Sequence, residues 1–294
     1  MTVIGNRVYT PLRYPGGKAR LASFFKKVIR ENGLCDSHYV EPYAGGAGIA
    51  ISLLLTEYCS HIHLNDISYP LFCFWSSILS NPEYLCRRIR DVCVTPYVWD
   101  EQKGVLQRVS EYPIEEVAFA FFFLNRTNRS GIQNGGMIGG RNQDGKWKID
   151  ARFNKRELIR RIVSIADYSH RISVYNMDAK DFINNISPSL PKRSLVYFDP
   201  PYYMKGRRLY PNYYTENDHS EIATIVQSRV TQPWIVTYDN HPNIEDFYSD
   251  RRWLIYCLNH TAGSFRVGNE LMFFSDSVRI PEPDFAVVDS NIGE

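Results

Sequence analysis

The sequence predicts an α/β fold in which a long insertion interrupts the alternation of strands and helices. Residues 38–66 run as strand, glycine loop, helix and strand, and the alternation resumes near residue 172. Between them, residues 69–165 show helical and loop patterns instead. With 294 residues, of which 44% are hydrophobic and 22% charged, the chain is long enough to bury one large core.

Charge and cysteine content exclude several classes of protein. The net charge is only +2, so an electrostatic signal for nucleic acid has to be local. The six cysteines form no C-x-x-C pair, and we expect reduced, buried thiols in a cytoplasmic protein. We expect no metal site, since the His61–His63 pair has no partner cluster nearby. The first residues show no signal-peptide h-region and no apolar run approaches 18 residues, so we expect no membrane partner.

The first strand leads into a glycine loop with the features of a nucleotide-binding unit. Residues 38–55 read HYVEPYAGGAGIAISLLL, which lacks the G-x-G-x-x-G fingerprint of pyrophosphate binding. Asp66 ends the next strand about 20 residues later, where an acid meets ribose hydroxyls. A ribose without a pyrophosphate suggests S-adenosylmethionine rather than NAD. The loop supplies four candidate residues for binding this cofactor, Glu41, Pro42, Tyr43 and Gly45.

Two further segments supply candidates for cofactor binding. Residues 12–18, LRYPGGK, precede a helical pattern, and there Gly17 lies between a ring at Tyr14 and a cation at Lys18. A glycine-rich turn before a helix is the alternative interpretation. Asp178 follows the strand at residues 172–177, where it either meets an adenine amino group or caps the next helix.

The most informative stretch is residues 194–203, SLVYFDPPYY, a short apolar strand that runs into Asp199, Pro200, Pro201 and Tyr202. The prolines stiffen the chain as it leaves the carboxyl end of the strand, where ligands bind in open α/β sheets. Asp199 and the Pro200 carbonyl are two acceptors that suit an NH2 group, and Tyr202 offers a ring for stacking. An exocyclic amine of a nucleobase fits all three. The alternative is a proline turn with Asp199 as a helix cap.

Residues 125–154 form a Gly-, Asn- and Arg-rich segment that cannot build a conventional core. From residue 125 to 165 the chain carries ten cations and three acids, a local charge of +7. That asymmetry indicates phosphate binding, although a solvated loop before a basic helix is the alternative. We interpret Trp147 as a hairpin packing residue. The candidate DNA contacts are Asn125, Arg126, Arg129, Ser130, Asn134, Arg141, Lys146 and Arg152.

Taken in order, these motifs resemble those of the Dam-type (D12 class) DNA adenine-N6 methyltransferases, over roughly residues 8–277. The resemblance implies a seven-stranded, Rossmann-like S-adenosylmethionine-dependent methyltransferase sheet with a helical and loop target-recognition insertion before its third strand. It also implies donor binding through Tyr14, Lys18, Asp66 and Asp199. We therefore expect a flipped adenine that stacks on Tyr202 and receives the methyl group directly. Tyr14 stands where many relatives have Trp, and the recognition segment only partly matches members that modify GATC.

The resemblance also implies a domain division and a set of partners. Residues 1–68 and 166–280 are assigned to the catalytic domain, 69–165 to target recognition, and 281–294 to a weakly ordered tail. Residues 204–217 are a candidate lid. We expect a monomer that acts on double-stranded DNA, with a cognate restriction endonuclease as a candidate partner. The alternatives are methylation of a cytosine amino group, of RNA or of a protein glutamine, and a DNA-binding relative without activity.

Overall fold

The computed structural model describes residues 8–14, 18–204, 214–260 and 266–292. Gly17, a predicted cofactor contact, and residues 205–213 of the candidate lid lie outside these ranges. The described residues form one mixed sheet of eight strands in the order β3-β2-β1-β4-β5-β7-β6-β8. The strands are β1 Ser37–Glu41, β2 Cys59–Asn65, β3 Ile172–Tyr175, β4 Leu195–Phe198, β5 Trp234–Asp239, β6 Arg252–His260, β7 Arg266–Phe274 and β8 Val287–Asn291.

Strands β1 to β5 are parallel, so their carboxyl ends meet at one edge of the sheet. Strand β7 enters antiparallel between β5 and β6. All residues of β4 and β5 are buried, because helices cover both faces of the sheet and each face needs apolar side chains. This doubly covered, mainly parallel sheet is the predicted Rossmann-like architecture, and it brings the loops after β1, β2, β3 and β4 together.

Ten α-helices are present in the described ranges. They are α1 Ala22–Glu31, α2 Gly48–Leu55, α3 Tyr69–Ser80, α4 Pro82–Asp91, α5 Pro96–Gln107, α6 Ile114–Thr127, α7 Lys155–Ala166, α8 Ala179–Asn185, α9 Glu216–Arg229 and α10 Pro242–Phe247. None of the helices in these ranges has the length and hydropathy that crossing a bilayer requires.

Helices α3 to α7 form the insertion between β2 and β3, and α6 is its centre. Ten of the fourteen residues of α6 are buried, including three consecutive phenylalanines that the sequence analysis treated as core. Phe122 stacks on Phe74 of α3 with ring centroids 5.6 Å apart. The apolar cluster of the insertion continues into the core beside α1 and α2, so the insertion packs directly on the sheet. The division into two domains stays a prediction.

The carboxyl-terminal tail differs from its prediction as a weakly ordered segment. Residues 287–291 form an eighth strand, β8, which pairs antiparallel with β6 and covers what would otherwise be an edge of the sheet. Phe285 packs against Phe24 and Tyr256, each with a centroid distance of 5.2 Å. All five residues of β8 are exposed, so the strand carries no apolar alternation by which the sequence could predict it.

The cysteines also differ in part from their prediction. Cys59, Cys73 and Cys86 are buried, whereas Cys35 and Cys93 are exposed and Cys257 is half-buried. The exposed pair lies in the connections after α1 and α4, outside the apolar stretches that suggested burial.

Candidate active site

A cavity of about 490 Å³ opens at the carboxyl edge of the parallel strands. The structure brings most of the predicted donor and catalytic residues to its wall. These are Tyr14, Lys18, Glu41, Pro42, Tyr43, Gly45, Asp66, Asp178, Asp199 and Pro201. Four of them are carboxylates and one is a lysine, so the charge of the wall is negative when the carboxyl groups are ionised. Among the described residues, no group of His, Cys, Asp and Glu side chains is arranged to hold a metal ion.

Asp199 is held through one carboxylate oxygen. Its Oδ1 accepts a hydrogen bond from the Thr237 hydroxyl at 2.9 Å and lies 3.3 Å from Lys18 Nζ. Thr237 is itself fixed by the Tyr197 hydroxyl at 2.7 Å. Within the described ranges no hydrogen bond reaches Oδ2, and the side chain is 25% exposed at the cavity wall. One oxygen therefore positions the carboxylate while the other is available to a ligand.

Lys18 is the cation at the centre of this arrangement. Its Nζ lies 2.8 Å from Glu270 Oε2 and 3.0 Å from the Tyr202 hydroxyl oxygen. Burial by itself lowers the pKa of Lys18, but Asp199 and Glu270 together hold that pKa well above its ordinary value. For the carboxyl group of Asp199, burial has the opposite effect and raises the pKa. The positive charge of Lys18 partly offsets that rise. Lys18 therefore stays protonated and faces two carboxylates.

Glu270 was missed by the sequence analysis. It lies on β7 and is 2% exposed. Besides Lys18, it accepts hydrogen bonds from the hydroxyls of Tyr202 and Tyr256, each at 2.7 Å. One signal was present: a glutamate precedes the apolar run LMFF in a strand, and such a residue needs partners when buried. Asp239 was likewise not predicted as a site residue. Its carboxylate accepts hydrogen bonds from the backbone N–H groups of Tyr203 and Met204, and so fixes the chain just after Tyr202.

The structure does not present Tyr202 at the cavity wall, so its role as a stacking platform stays a prediction. Tyr202 is 6% exposed. Neither Tyr202 nor Pro200 lines the cavity, whereas Pro201 does. Lys18 Nζ lies 4.9 Å from the ring centroid, within cation–π range. The Tyr202 hydroxyl bridges Lys18 and Glu270 inside the protein.

The glycine loop is shaped by two predicted residues, Asp66 and Tyr14. Asp66 Oδ2 accepts from Gly45 N at 3.0 Å, and Oδ1 accepts from Ser68 N at 2.9 Å. Gly45 has φ of +46°, and a Cβ there would lie 2.8 Å from the Tyr14 ring. Only glycine fits this approach, so the loop needs Gly45 for both its backbone angle and its contact with Tyr14.

Glu41 and Asp178 each have a structural partner besides their place in the cavity wall. Glu41 Oε1 accepts from Ala50 N of α2 at 3.2 Å, and burial raises its pKa to about 8. Asp178 accepts from Lys180 N at 2.8 Å and so caps α8. The helix-cap alternative is therefore confirmed for Asp178, while its contact with an adenine amino group stays a prediction.

Comparison with known proteins decides the family. The family model for D12 class N6 adenine-specific DNA methyltransferases matches residues 14–256. The chain belongs to this family. It is therefore an adenine-specific DNA methyltransferase, an enzyme that takes a methyl group from a donor and acts on DNA.

Other comparisons add nothing about the substrate. A search of curated proteins found no match to this methyltransferase. Among solved structures, it is similar to an rRNA methyltransferase, aviRa from Streptomyces viridochromogenes, with 12% identity, 94% of each chain covered and a TM-score of 0.41. It is also similar to a conserved hypothetical protein from Streptococcus pyogenes, with 10% identity, 83% of this chain and 88% of that chain covered and a TM-score of 0.33.

Two predicted DNA contacts of the methyltransferase are engaged inside the protein instead. Asn125 is 3% exposed; its Oδ1 accepts from Arg13 N at 2.8 Å, and its Nδ2 donates to the carbonyls of Arg13 at 2.7 Å and Gly131 at 3.2 Å. Arg126 donates to the carbonyls of Arg152 and Pro11. Backbone groups brought together by the fold already occupy both side chains, although Asn125 also lines the cavity, and their contacts with DNA stay predictions.

The other predicted DNA contacts lie on the surface or close to it. Arg129, Asn134, Arg141, Lys146 and Arg152 are exposed, and Ser130 is half-buried. Arg141 is paired with Asp100 at 2.6 Å. Trp147, interpreted as a packing residue, is 58% exposed, which corrects that interpretation. The contacts of these residues with DNA stay predictions.

Proposed function

We propose that this enzyme transfers a methyl group from S-adenosylmethionine to N6 of an adenine that is flipped out of double-stranded DNA. The observation that carries the proposal is the state of Asp199, which lines the cavity: Oδ1 is fixed by Thr237 and Lys18, and within the described residues no hydrogen bond reaches Oδ2. A single fixed acceptor suits an amino hydrogen of the target base. Flipping is required because the amino group of a paired adenine is out of reach of a donor in this cavity.

The charge of the cavity wall supports S-adenosylmethionine as the donor. Its sulfonium and ammonium groups are cationic, and ionised Asp66, Asp178 and Asp199 favour such a ligand. A volume of about 490 Å³ is in the range of pockets for molecules of this size. Tyr14, Asp66 and Gly45 shape the side of the cavity where a nucleoside would lie. When bound, the donor supplies an electrophilic methyl group.

The acceptor chemistry follows from Asp199. Hydrogen bonding from the adenine N6–H to Oδ2 localises the nitrogen lone pair toward the methyl group. As the N–C bond forms, the C–S bond breaks, S-adenosylhomocysteine leaves and N6 carries an extra proton. The raised pKa of Asp199, caused by burial, supports its role as a transient acceptor of that proton, which then passes to water. We assign the greater part of this contact to Asp199, since Pro200 lies outside the cavity wall.

Tyr202 receives a different role from the one predicted. Its hydroxyl holds Lys18 and Glu270 in place, so we propose that it positions Asp199 through Lys18. Stacking of the target base is left to a ring that lines the cavity. The monomeric state and the cognate restriction endonuclease stay proposals from the family resemblance.

The test is methyl transfer from radiolabelled S-adenosylmethionine to double-stranded DNA, followed by nucleoside analysis. We expect N6-methyladenine with the wild-type enzyme and none with Asp199→Ala, while the exposed Asp250→Ala variant keeps full activity. Radiolabel found in cytosine, or in RNA when RNA is the only acceptor offered, would show that the proposed substrate is wrong. An Asp199→Ala enzyme with unchanged turnover would refute the assignment of the acceptor.

A further inference from the structure

Trp147 projects from the basic segment between two cations. Trp147 is 58% exposed. Lys146 Nζ lies 5.8 Å from the centroid of the Trp147 ring, and the guanidinium carbon of Arg152 lies 5.7 Å from the same centroid. We call these three residues the Trp147 patch. A single exposed aromatic ring is ordinary on a protein surface, but a ring flanked by two cations is suited to a partner that is both aromatic and anionic.

The backbone beneath the patch is fixed. Gln143 donates from Nε2 to the carbonyls of Ile138 and Gly140, and its Oε1 accepts from Ile149 N at 2.7 Å. Gly139 packs so closely that a Cβ there would lie 2.7 Å from the Trp147 carbonyl oxygen. Ile149 is buried, which anchors the chain just after Trp147. The indole is therefore displayed by a constrained loop.

The cations of the patch differ from most others in the basic segment. Arg160 and Arg161 bind Glu157, Arg141 binds Asp100, and Arg126 binds backbone carbonyls. Lys148 and Lys155 donate to backbone carbonyls. Within the part of the chain that the structure describes, by contrast, the side chains of Lys146 and Arg152 make no ion pair and no hydrogen bond. Their charges are thus available to an anionic partner on either side of an aromatic ring.

The same loop reaches the active-site cavity. Gly131, Ile132 and Gln133 line the cavity, and the adjoining Asn128 pairs with Met137 in an isolated antiparallel bridge. Two residues further on, Gly139 contacts the Trp147 backbone. A DNA duplex bound with an adenine in the cavity would therefore extend along this loop to the Trp147 patch.

We propose that Trp147 stacks on a base of the bound DNA next to the target site, while Lys146 and Arg152 neutralise the flanking phosphates. This inference rests on the proposed function. Aromatic stacking tolerates any base and adds affinity independent of salt, whereas each neutralised phosphate adds salt dependence. The patch therefore secures the duplex beside the flipped adenine without specifying sequence.

The experiment measures Kd for a mixed-sequence DNA duplex at several salt concentrations. Trp147→Ala is expected to weaken binding by roughly 5- to 100-fold with an unchanged salt slope. Lys146→Ala combined with Arg152→Ala is expected to reduce the slope of log K against log salt by about 2. Trp147→Phe should recover most of the affinity. Tyr97→Ala, at an aromatic residue 72% exposed on α5, is the matched control and should bind as wild type.

Several outcomes would overturn the inference. Wild-type affinity in Trp147→Ala, an equal loss in Tyr97→Ala, or a Trp147→Ala defect on an RNA duplex alone would each do so. Thermal unfolding of each variant checks that the fold is intact, and Trp147→Phe keeps the test valid if the alanine variant unfolds. Failure of the proposed function is distinguishable, since then the wild-type enzyme would leave adenine in DNA unmethylated.

Discussion

Lys18 and Glu270 form a buried ion pair with Nζ 2.8 Å from Oε2, although 252 positions separate them in the sequence. Each side chain is only 3% exposed. Glu270 also accepts from Tyr202 and Tyr256, so one carboxylate joins the N-terminal turn, the motif after β4 and strand β6. The position of Asp199 thus depends on a strand near the end of the chain.

Glu270→Gln should lower both stability and turnover. The amide keeps the shape of the side chain but loses the charge that faces Lys18, and we expect a loss of about 1–3 kcal/mol in unfolding free energy. Urea unfolding and methyl transfer measure the two effects. Tyr256→Phe removes only one hydrogen bond to Glu270 and should cost less. A fully active and stable Glu270→Gln enzyme would contradict the role of the pair.

Lys18→Ala should shift the pH profile of any remaining activity. Burial raises the pKa of Asp199 and the Lys18 charge lowers it, so removal of Lys18 raises that pKa further. If transfer needs ionised Asp199, the acidic limb of the profile of kcat/KM moves to higher pH. The control is Lys27→Ala, since among the described residues the Lys27 side chain donates to the exposed carbonyl of Glu282 and contacts no site residue. An unshifted limb would show that Lys18 does not set the charge of Asp199.

Asn125→Ala and Asn134→Ala should have opposite consequences. Asn125 is buried and bonds three backbone groups, so its loss should cost about 1–3 kcal/mol of stability and leave the methylated sequence unchanged. Asn134 is exposed, and its loss should leave stability unchanged and weaken or relax sequence choice. Chemical denaturation and sequencing of methylated DNA distinguish them. The reverse pattern would support Asn125 as a base contact.

Stability should fall as pH rises toward 8 because of Glu41. Burial raises its pKa to about 8 from an ordinary value of 4.5, so the folded protein binds this proton more tightly than the unfolded chain. The contribution of Glu41 is complete below about pH 4.5 and is lost as pH passes through 8. Urea unfolding between pH 5 and 9 should show a smaller decline in Glu41→Gln than in the wild type. Parallel curves would mean that Glu41 ionises normally.

Gly45→Ala should impair donor binding by displacing Tyr14. The added Cβ would lie 2.8 Å from Tyr14 Cε1, and the positive φ is unfavourable for alanine. We expect a rise of about tenfold or more in the Kd for S-adenosylmethionine, measured by calorimetry. Gly33→Ala, also at positive φ but with no heavy atom within 4 Å of the added Cβ, controls for backbone strain. Equal effects would exclude the Tyr14 contact as the cause.

Local patterns in the sequence determined much of this protein. The apolar run before Asp199 predicted strand β4, and the glycine loop and Asp66 predicted one side of the cavity. These features depend on neighbours within a few residues or on the rule that parallel strands end together, so periodicity and spacing suffice to find them. The ordered motifs also indicated the methyltransferase family.

Only the tertiary structure decided what each polar side chain does. Glu270 joined Lys18, Asn125 bonded to backbone groups and Tyr202 was buried because backbone and charged groups from distant segments surround them. Trp147 stayed exposed because the loop beneath it bonds to itself through Gln143. Residue type states what a side chain can bind, but burial and long-range partners determine whether a ligand can reach it.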